Sequence, residues 1–260
     1  MQHDLGILVL SCDKFADLWK PFFTLFWQNY ENNSPYPVYL GSNTVGYEET
    51  KIKTIYSGED RDWSTSCRTI LQQIPHKYIL LLLEDFFITS KIDSVKITQS
   101  VQFMQENNAK HIHFRPTPKP DKWLPNQEIG FYEKRAPYRV NVAGFWDREY
   151  LLNLLIDGES PWNFEIQGSY RTAYDEGFYC LNVPLFSHVH VVEKGCWFPE
   201  AIAYCNEHNI VLELDKRPVL SNLTRLKSKL QMYYFNLMIK VPWKFRVKCM
   251  DILRKLLISY

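Results

Sequence analysis

The stretch at residues 78–89, YILLLLEDFFIT, decides the fold because it places two acidic side chains at the end of an apolar run. The five aliphatic residues at 79–83 are typical of a strand that is buried on both faces, as in a parallel sheet. Glu84 and Asp85 follow where such a strand leaves the core. Burying an ionised carboxylate costs free energy unless a cation or hydrogen bonds compensate it. The pair therefore indicates either a solvated strand end or a ligand site at the carboxyl edge of a parallel sheet.

Strand and helix patterns alternate on both sides of this stretch. A strand at 6–10 precedes an aromatic helix at 16–29, and a helix at about 93–107 follows the acidic pair. Further strands are predicted in YPVYLGSN, KIKTIYSG, KHIHFRP, YRVNVAGFWD and YCLNVPLFSHVHVVEKG, and further helices in WSTSCRTILQQI, REYLLNLLIDG and SPWNFEIQGSYRTAYDEG. This alternation predicts an α/β fold with a mostly parallel sheet flanked by helices.

Length and composition place the chain among globular proteins. Its 260 residues can bury one large core. No apolar stretch reaches the roughly 18 residues of a membrane-spanning helix, and the start shows neither a basic leader nor a cleavage site, so we expect no secretory signal. The six cysteines lack paired spacing, which predicts reduced thiols in a cytoplasmic protein rather than a zinc site.

Charge is distributed unevenly along the chain, although the net charge is only +1. The segment 216–260 holds 11 of the 30 basic residues and one of the 29 acidic residues, so its charge is +10 and that of the preceding residues −9. Its apolar residues recur near the helical period, and Tyr233, Tyr234 and Trp243 favour membrane interfaces. We predict a domain at 1–215 and a basic helical tail that binds an anionic membrane, or else packs on the domain or on a second subunit.

Two short segments near the predicted sheet edge could bind phosphate or a nucleoside. Asp13 and Lys14 lie in the turn after the first strand, where Asp13 could instead cap the aromatic helix. Trp63 could stack on a ring, and Arg68 could bind phosphate through two parallel hydrogen bonds. A core tryptophan beside a surface arginine is the alternative for this second segment.

Glu165 is the candidate general base. It lies between aromatic neighbours in SPWNFE, and an apolar setting raises the pKa of a carboxyl group and suits it to accept a proton. Trp146 and Trp162 could stack on a ligand ring, although tryptophan often belongs to the core. Three other carboxylates remain alternatives for the base: Asp157, Glu159 and Asp175.

Three stretches resemble bacterial sugar transferases of the glycosyltransferase-A type, which build capsule, O-antigen (lipopolysaccharide) and other surface polysaccharides. Residues 8–19 resemble the first strand and nucleotide-facing turn of that family, and residues 62–89 the segment that leads to its acidic motif. Residues 141–169 resemble its acceptor-side region. The resemblance implies a glycosyltransferase-A-like (Rossmann-like) fold and an enzyme that transfers a sugar from a nucleotide-sugar donor to a glycan or lipid-linked glycan acceptor, at the inner face of the cell membrane.

The same resemblance implies roles for individual side chains. Glu165 would deprotonate the acceptor in an inverting transfer, Trp146 and Trp162 would bind the acceptor, and Asp85 with His188 would hold Mg²⁺ or Mn²⁺. The donor would be bound by Ser11, Asp13, Lys14, Trp63, Arg68, Glu84 and Asp85.

The acidic motif departs from the Asp-x-Asp pattern of the family. Here the acids are adjacent, in Glu84-Asp85-Phe86, and adjacent side chains on an extended chain point to opposite faces. Lys14, Arg61 or Arg68 could therefore replace a metal as the positive partner. The alternative function is a non-catalytic glycan-binding or assembly protein that retains the fold. A nucleotidyltransferase is disfavoured because a Gly-rich basic loop is absent, and basic patches outside the tail do not indicate nucleic-acid binding.

Overall fold

The computed structural model describes residues 4–31 and 35–221, together with residues 224, 226, 230, 233, 241–245, 248, 249 and 252. The chain divides into two compact units, Met1–Pro218 and Val219–Tyr260. Most residues of the predicted basic tail, 216–260, are not among the described residues. Its first two basic residues, Lys216 and Arg217, belong to the first unit. Among the residues described, no helix has the length and apolar character needed to cross a membrane. All six cysteines are free thiols.

The first unit alternates strands and helices. Its strands are β1 (Leu5–Leu10), β2 (Val38–Ser42), β3 (Ile52–Tyr56), β4 (Tyr78–Leu83), β5 (Phe86–Ile88), β6 (His111–His113), β7 (Lys122–Trp123), β8 (Ile129–Phe131), β9 (Gly144–Asp147), β10 (Phe178–Leu181), β11 (His188–His190), β12 (Val192–Glu193) and β13 (Cys196–Trp197). Its α-helices are α1 (Ala16–Asn29), α2 (Trp63–Gln72), α3 (Ser94–Asn107), α4 (Arg148–Leu154), α5 (Pro161–Arg171) and α6 (Pro199–Glu207).

Nine strands form one sheet in the order β3-β2-β1-β4-β9-β6-β10-β8-β7. Strands β1 to β4 are parallel, and β6 is parallel to β10. Strand β9 runs antiparallel between β4 and β6, so those two strands point the same way. The carboxyl ends of β1, β4, β6 and β10 therefore lie at one edge of the sheet, which we call the carboxyl edge. The α/β fold with a mostly parallel sheet flanked by helices is confirmed.

The two apolar strands β1 and β4 form the centre of the sheet. They pair in parallel from Leu5 with Tyr78 to Leu10 with Leu83. Every residue of β1 and all but the last residue of β4 are buried. This burial explains why both strands lack the alternation of polar and apolar residues that one solvent-facing side would require. Both strands end at the carboxyl edge, which places Ser11 and Glu84 there.

A small second sheet follows the acidic pair directly. After a turn at residues 84 and 85, β5 leaves the line of β4 and pairs antiparallel with β11. The register places His190 opposite Phe86 and His188 opposite Ile88. This pairing brings the late histidines beside the segment that follows the acidic pair.

Candidate active site

Glu84, which is buried, and Asp85, which is half-buried, form a carboxyl pair at the end of β4. Glu84 is 7% exposed, and its carboxyl group is hydrogen-bonded to the Ser11 side chain. Desolvation and then the charge of Asp85 raise the pKa of Glu84, against the opposing effect of Arg217. Desolvation also raises the pKa of Asp85, whose Oδ1 is buried without a hydrogen-bond partner. The solvated strand end is therefore wrong, because both groups are desolvated and hold protons more tightly than in water.

Asp13 fastens the turn after β1 to the loop after β2. Its carboxylate accepts hydrogen bonds from the backbone N–H groups of Thr44 and Val45 at 3.1 Å, and from the Thr44 hydroxyl at 2.6 Å. The Asn43 N–H donates to the same carboxylate at 3.1 Å. Partial burial raises the pKa of Asp13, but these hydrogen bonds lower it on balance. Asp13 therefore shapes the turn: it neither caps α1 nor keeps acceptors free for a nucleoside.

Two of the basic side chains expected to bind phosphate form intramolecular ion pairs instead. Lys14 Nζ forms an exposed ion pair with Asp60 at 2.9 Å. Arg68 pairs with Asp157 at 3.1 Å and also donates to the Leu155 carbonyl oxygen at 2.6 Å, just beyond α4. Arg68 is thus a structural link between α2 and α4, contrary to the expected role in donor binding.

The remaining donor candidates divide between the carboxyl edge and the helix layer. Ser11 Oγ accepts from Trp19 Nε1 at 2.8 Å and contacts the carboxyl group of Glu84, so it belongs to the edge. Trp63 packs against Phe164, with 5.2 Å between ring centroids. This contact joins α2 to α5 and leaves the ring of Trp63 only half-buried.

Glu165 lies on α5 and reaches the carboxyl edge. Its Oε1 accepts the Val142 N–H at 3.0 Å, and Val142 precedes β9 at the edge where β4 ends. Desolvation raises the pKa of Glu165, opposed by this hydrogen bond and by the charge of Arg115. No described residue donates a hydrogen bond to Oε2. Glu165 therefore combines a raised pKa with one available carboxylate oxygen.

The alternatives to Glu165 are held by other groups. Arg171 binds both oxygens of Glu159, at 2.6 and 2.9 Å. The other two pairs join Asp157 to Arg68 and Asp175 to the Tyr150 hydroxyl. These carboxylates are occupied by intramolecular partners, and Glu165 remains the better candidate for a base.

The two tryptophans expected to bind the acceptor, Trp146 and Trp162, differ completely in exposure. Trp146 is fully buried, with its ring stacked on His111 at 3.8 Å between centroids and its Nε1 bonded to the Val142 carbonyl oxygen at 3.0 Å. The expected acceptor contact of Trp146 is therefore wrong, because neither face of its ring is available. Trp162 is 73% exposed on the first turn of α5, and Tyr170 is equally exposed two turns later.

Arg115 is a site residue that the sequence analysis missed. It follows β6 at the carboxyl edge, and its Nη1 lies 3.4 Å from His188 Nε2. Its guanidinium carbon lies 5.6 Å from the centre of the Phe114 ring. The charges of Arg115 and Glu165 act on each other. A basic side chain directly after the buried strand in HIHFR was the available signal, because the same logic had identified Glu84 and Asp85.

A divalent metal does not fit the expected pair of Asp85 and His188. Because guanidinium only donates, His188 Nε2 must accept from Arg115, and this lone pair is not available to a metal. Burial, His190 and Arg115 lower the pKa of His188 to about 3. Within the described part of the chain, no three His, Cys, Asp or Glu side chains are grouped as metal ligands. The side chains of Asp85 and His188 therefore do not form the expected metal site.

Comparisons with known proteins found no matching family and no matching curated protein. Among solved structures, the chain is similar to S. aureus TarS at 11% identity and a TM-score of 0.40, over 70% of this chain and 37% of TarS. The chain is similar to S. aureus TarS 1-349 in complex with UDP-GlcNAc at 10% identity and a TM-score of 0.45, over 70% of this chain and 59% of that one. It is also similar to CMP:2-keto-3-deoxy-manno-octonic acid synthetase complexed with CTP at 9% identity and a TM-score of 0.43, over 80% of this chain and 98% of that one. The chain thus spans less than two thirds of these TarS chains, and similarity at this level assigns no activity.

Proposed function

We propose that this protein is a glycosyltransferase that moves a sugar from a nucleotide-sugar donor to a glycan acceptor. The observation that carries the proposal is the convergence of two carboxyl sites at the carboxyl edge. One is the carboxyl pair of the buried Glu84 and the half-buried Asp85, and the other is Glu165 with its available Oε2. Ligands of open α/β sheets bind at this edge, and the resemblance of residues 62–89 and 141–169 to glycosyltransferases supports the same activity.

Glu165 would act as the general base of an inverting transfer. Its Oε2 takes the proton of an acceptor hydroxyl while the acceptor oxygen bonds to the anomeric carbon. The bond between that carbon and the donor phosphate oxygen breaks, and the nucleoside diphosphate leaves with the electron pair. A raised pKa suits this step, because a more basic carboxylate is a stronger proton acceptor once it is ionised.

Asp85 would bind the donor directly. A buried acceptor without a partner costs free energy, so Oδ1 is a position where a hydroxyl group of the donor can supply the missing hydrogen bond. Glu84, which burial keeps protonated to higher pH than usual, would contribute less negative charge beside the diphosphate. This arrangement reduces the repulsion that two ionised carboxylates would exert on the donor.

The exposed rings of α5 would bind the acceptor. Trp162 and Tyr170 are eight residues apart, which corresponds to about 12 Å along a helix and is long enough to contact more than one sugar ring. Both rings carry a polar group that can bond to sugar hydroxyls. A lipid-linked glycan as acceptor, presented at an anionic membrane to which the basic tail binds, completes the proposal.

Turnover of nucleotide-sugars tests the proposed function. The full chain is incubated with a panel of uridine, guanosine and cytidine nucleotide-sugars, with and without glycan acceptors, and the released nucleotide is measured. We expect release with at least one donor, its loss in Glu165→Gln, and no change in Glu149→Gln, an exposed glutamate on α4. Binding of a glycan without turnover of any donor would instead support the non-catalytic alternative.

A further inference from the structure

We infer that Arg115 binds the diphosphate of the donor and supplies the positive charge at this site, so that donor binding does not require a divalent cation. The inference rests on the proposed function and names the group that recognises the leaving part of the donor. It also reassigns a role that the sequence analysis gave to a metal, Lys14, Arg61 or Arg68.

The pairing of Arg115 supports this inference. It is half-buried, yet no carboxylate of the described residues lies within ion-pair distance of its guanidinium. Its hydrogen-bond partner is a neutral imidazole, His188. Desolvation lowers the pKa of Arg115, and the charge of Glu165 opposes this effect. A half-buried charge without an ion-pair partner is costly, so this site is suited to bind an anion in addition to the nearby Glu165.

The other described arginines have different surroundings. Five of them pair with carboxylates: Arg61 with Glu59, Arg68 with Asp157, Arg148 with Glu149, Arg171 with Glu159 and Arg217 with Asp17. Arg139 is fully buried and donates to the carbonyl oxygens of Glu133 and Asp175. Arg135 donates to the exposed Tyr174 hydroxyl. Arg115 is thus distinguished by being half-buried at the carboxyl edge beside a neutral ring.

The position of Arg115 relative to the other site residues also supports the inference. It follows β6, and β9 separates β6 from β4. Neighbouring strands are about 4.8 Å apart, so Arg115 is placed about 10 Å across the sheet from the acidic pair. Glu165, fixed to Val142 at the start of β9, lies at the strand between them. A sugar diphosphate that contacts Asp85 through its hydroxyls and Arg115 through its phosphates would therefore pass beside the base.

The guanidinium group of Arg115 is chemically suited to bind a diphosphate. A guanidinium presents several N–H donors in one plane and can bind two phosphate oxygens at once. Negative charge grows on the diphosphate as its bond to the anomeric carbon breaks, and a fixed cation in a partly dehydrated site stabilises that charge. His188 Nε2, which accepts from Nη1, would hold the guanidinium in place and leave its other N–H groups for the phosphates.

Calorimetric titration with inorganic pyrophosphate and with UDP tests this inference on the full chain in the presence of EDTA. We expect wild-type protein to bind both probes, Arg115→Ala to bind both at least about ten-fold more weakly, and Arg115→Lys to be intermediate because a single ammonium cannot form two parallel hydrogen bonds. Arg135→Ala is the matched control and should bind like wild type. Thermal unfolding of each variant shows whether the fold is retained.

The inference is overturned if wild-type protein binds neither probe in EDTA, or if folded Arg115→Ala binds both with unchanged affinity. Its failure differs from failure of the proposed function. Donor turnover that needs Mn²⁺ and survives in Arg115→Ala would keep the function and reject the inference. Conversely, Arg115-dependent binding of pyrophosphate without turnover of any nucleotide-sugar would keep the anion site and reject the glycosyltransferase.

Discussion

The carboxyl edge has two regions whose polar side chains are used in opposite ways. At the end of β1, Asp13 receives hydrogen bonds from the loop after β2, and Lys14 is paired with Asp60. From β4 to β6, by contrast, polar groups keep unused hydrogen-bonding capacity. Examples are the buried Asp85 Oδ1 and the half-buried guanidinium of Arg115. Native proteins leave few buried polar groups unsatisfied. The contrast teaches that a polar residue at the expected sheet edge is a ligand candidate only where the protein does not already satisfy it.

Glu165→Gln should produce the largest effect on the unsatisfied region. Removing the base is expected to lower the turnover number by about 10²-fold or more with little change in donor affinity, because the amide keeps the shape but cannot accept the proton. Steady-state kinetics with calorimetric donor titration measures both quantities. In the wild type, the turnover number should increase with pH through the raised pKa of Glu165. Near-normal turnover in the variant would place the base elsewhere.

Asp85→Ala should affect donor binding next most strongly. We expect donor affinity to fall by about ten-fold or more, since one hydrogen bond to a charged acceptor is worth about 1.5 to 3 kcal/mol. Binding of inorganic pyrophosphate, which has no sugar or ribose hydroxyls, should change much less. Equal donor affinity for variant and wild type would show that the unpartnered Oδ1 does not face the donor.

Asp13→Ala tests the satisfied region. The variant loses the acceptor of several N–H groups, and we expect the free energy of unfolding to fall by about 1 to 2 kcal/mol. Turnover per folded molecule should stay close to wild type, in contrast to Glu165→Gln. Urea unfolding and kinetics on the same sample measure both effects. A specific loss of nucleotide affinity with unchanged stability would break the contrast between the two regions.

Glu84→Gln should change the pH dependence of stability. An acid whose pKa is raised in the folded state binds more protons than in the unfolded chain, where the pKa is about 4.3. The free energy of unfolding of wild-type protein therefore falls as pH rises from that value through the folded pKa. Between about pH 5 and about pH 8.5, the free energy of unfolding should therefore fall less in the neutral variant than in wild type, by about 1 kcal/mol or more. Urea unfolding at the two pH values measures this difference. Glu149→Gln should keep the wild-type slope.

The smallest effect is expected at the basic tail. The full chain should pellet with anionic vesicles at low salt, and Lys244→Gln with Lys248→Gln should weaken pelleting without changing donor affinity, since each basic residue near an anionic surface adds about 1 kcal/mol. Neutral vesicles serve as the control. Pelleting that is independent of both lysines and of salt would favour packing on the domain or on a second subunit.

The sequence predicted the fold where local pattern and burial agree. Helix α1 was located at its observed residues 16–29, and the apolar run before Glu84 identified the central strand. The turn that separates β5 from β4 was missed because Phe86 and Phe87 continue the apolar pattern, and only the pairing with β11 defines β5.

Site residues were harder to predict, because their use depends on partners distant in sequence. Arg68 and Trp146 have suitable chemistry, but Asp157 occupies one and the core encloses the other. Arg115 follows a buried strand in the sequence, but only the strand order shows that a single strand, β9, separates β6 from β4. Spacing along the chain contains no information about such pairings.

The ion pair between Arg217 and Asp17 has a consequence for the order of folding. Arg217 donates to both oxygens of Asp17 at 2.6 and 2.7 Å and to the Lys14 carbonyl oxygen, across about 200 residues of chain. During synthesis, the turn after β1 emerges early but receives this clamp only when residue 217 has left the ribosome. Because Arg217 also acts on the charge of Glu84, the carboxyl edge acquires its final electrostatic environment only after residue 217 has been synthesised. A fragment ending at residue 215 would permanently lack that last step.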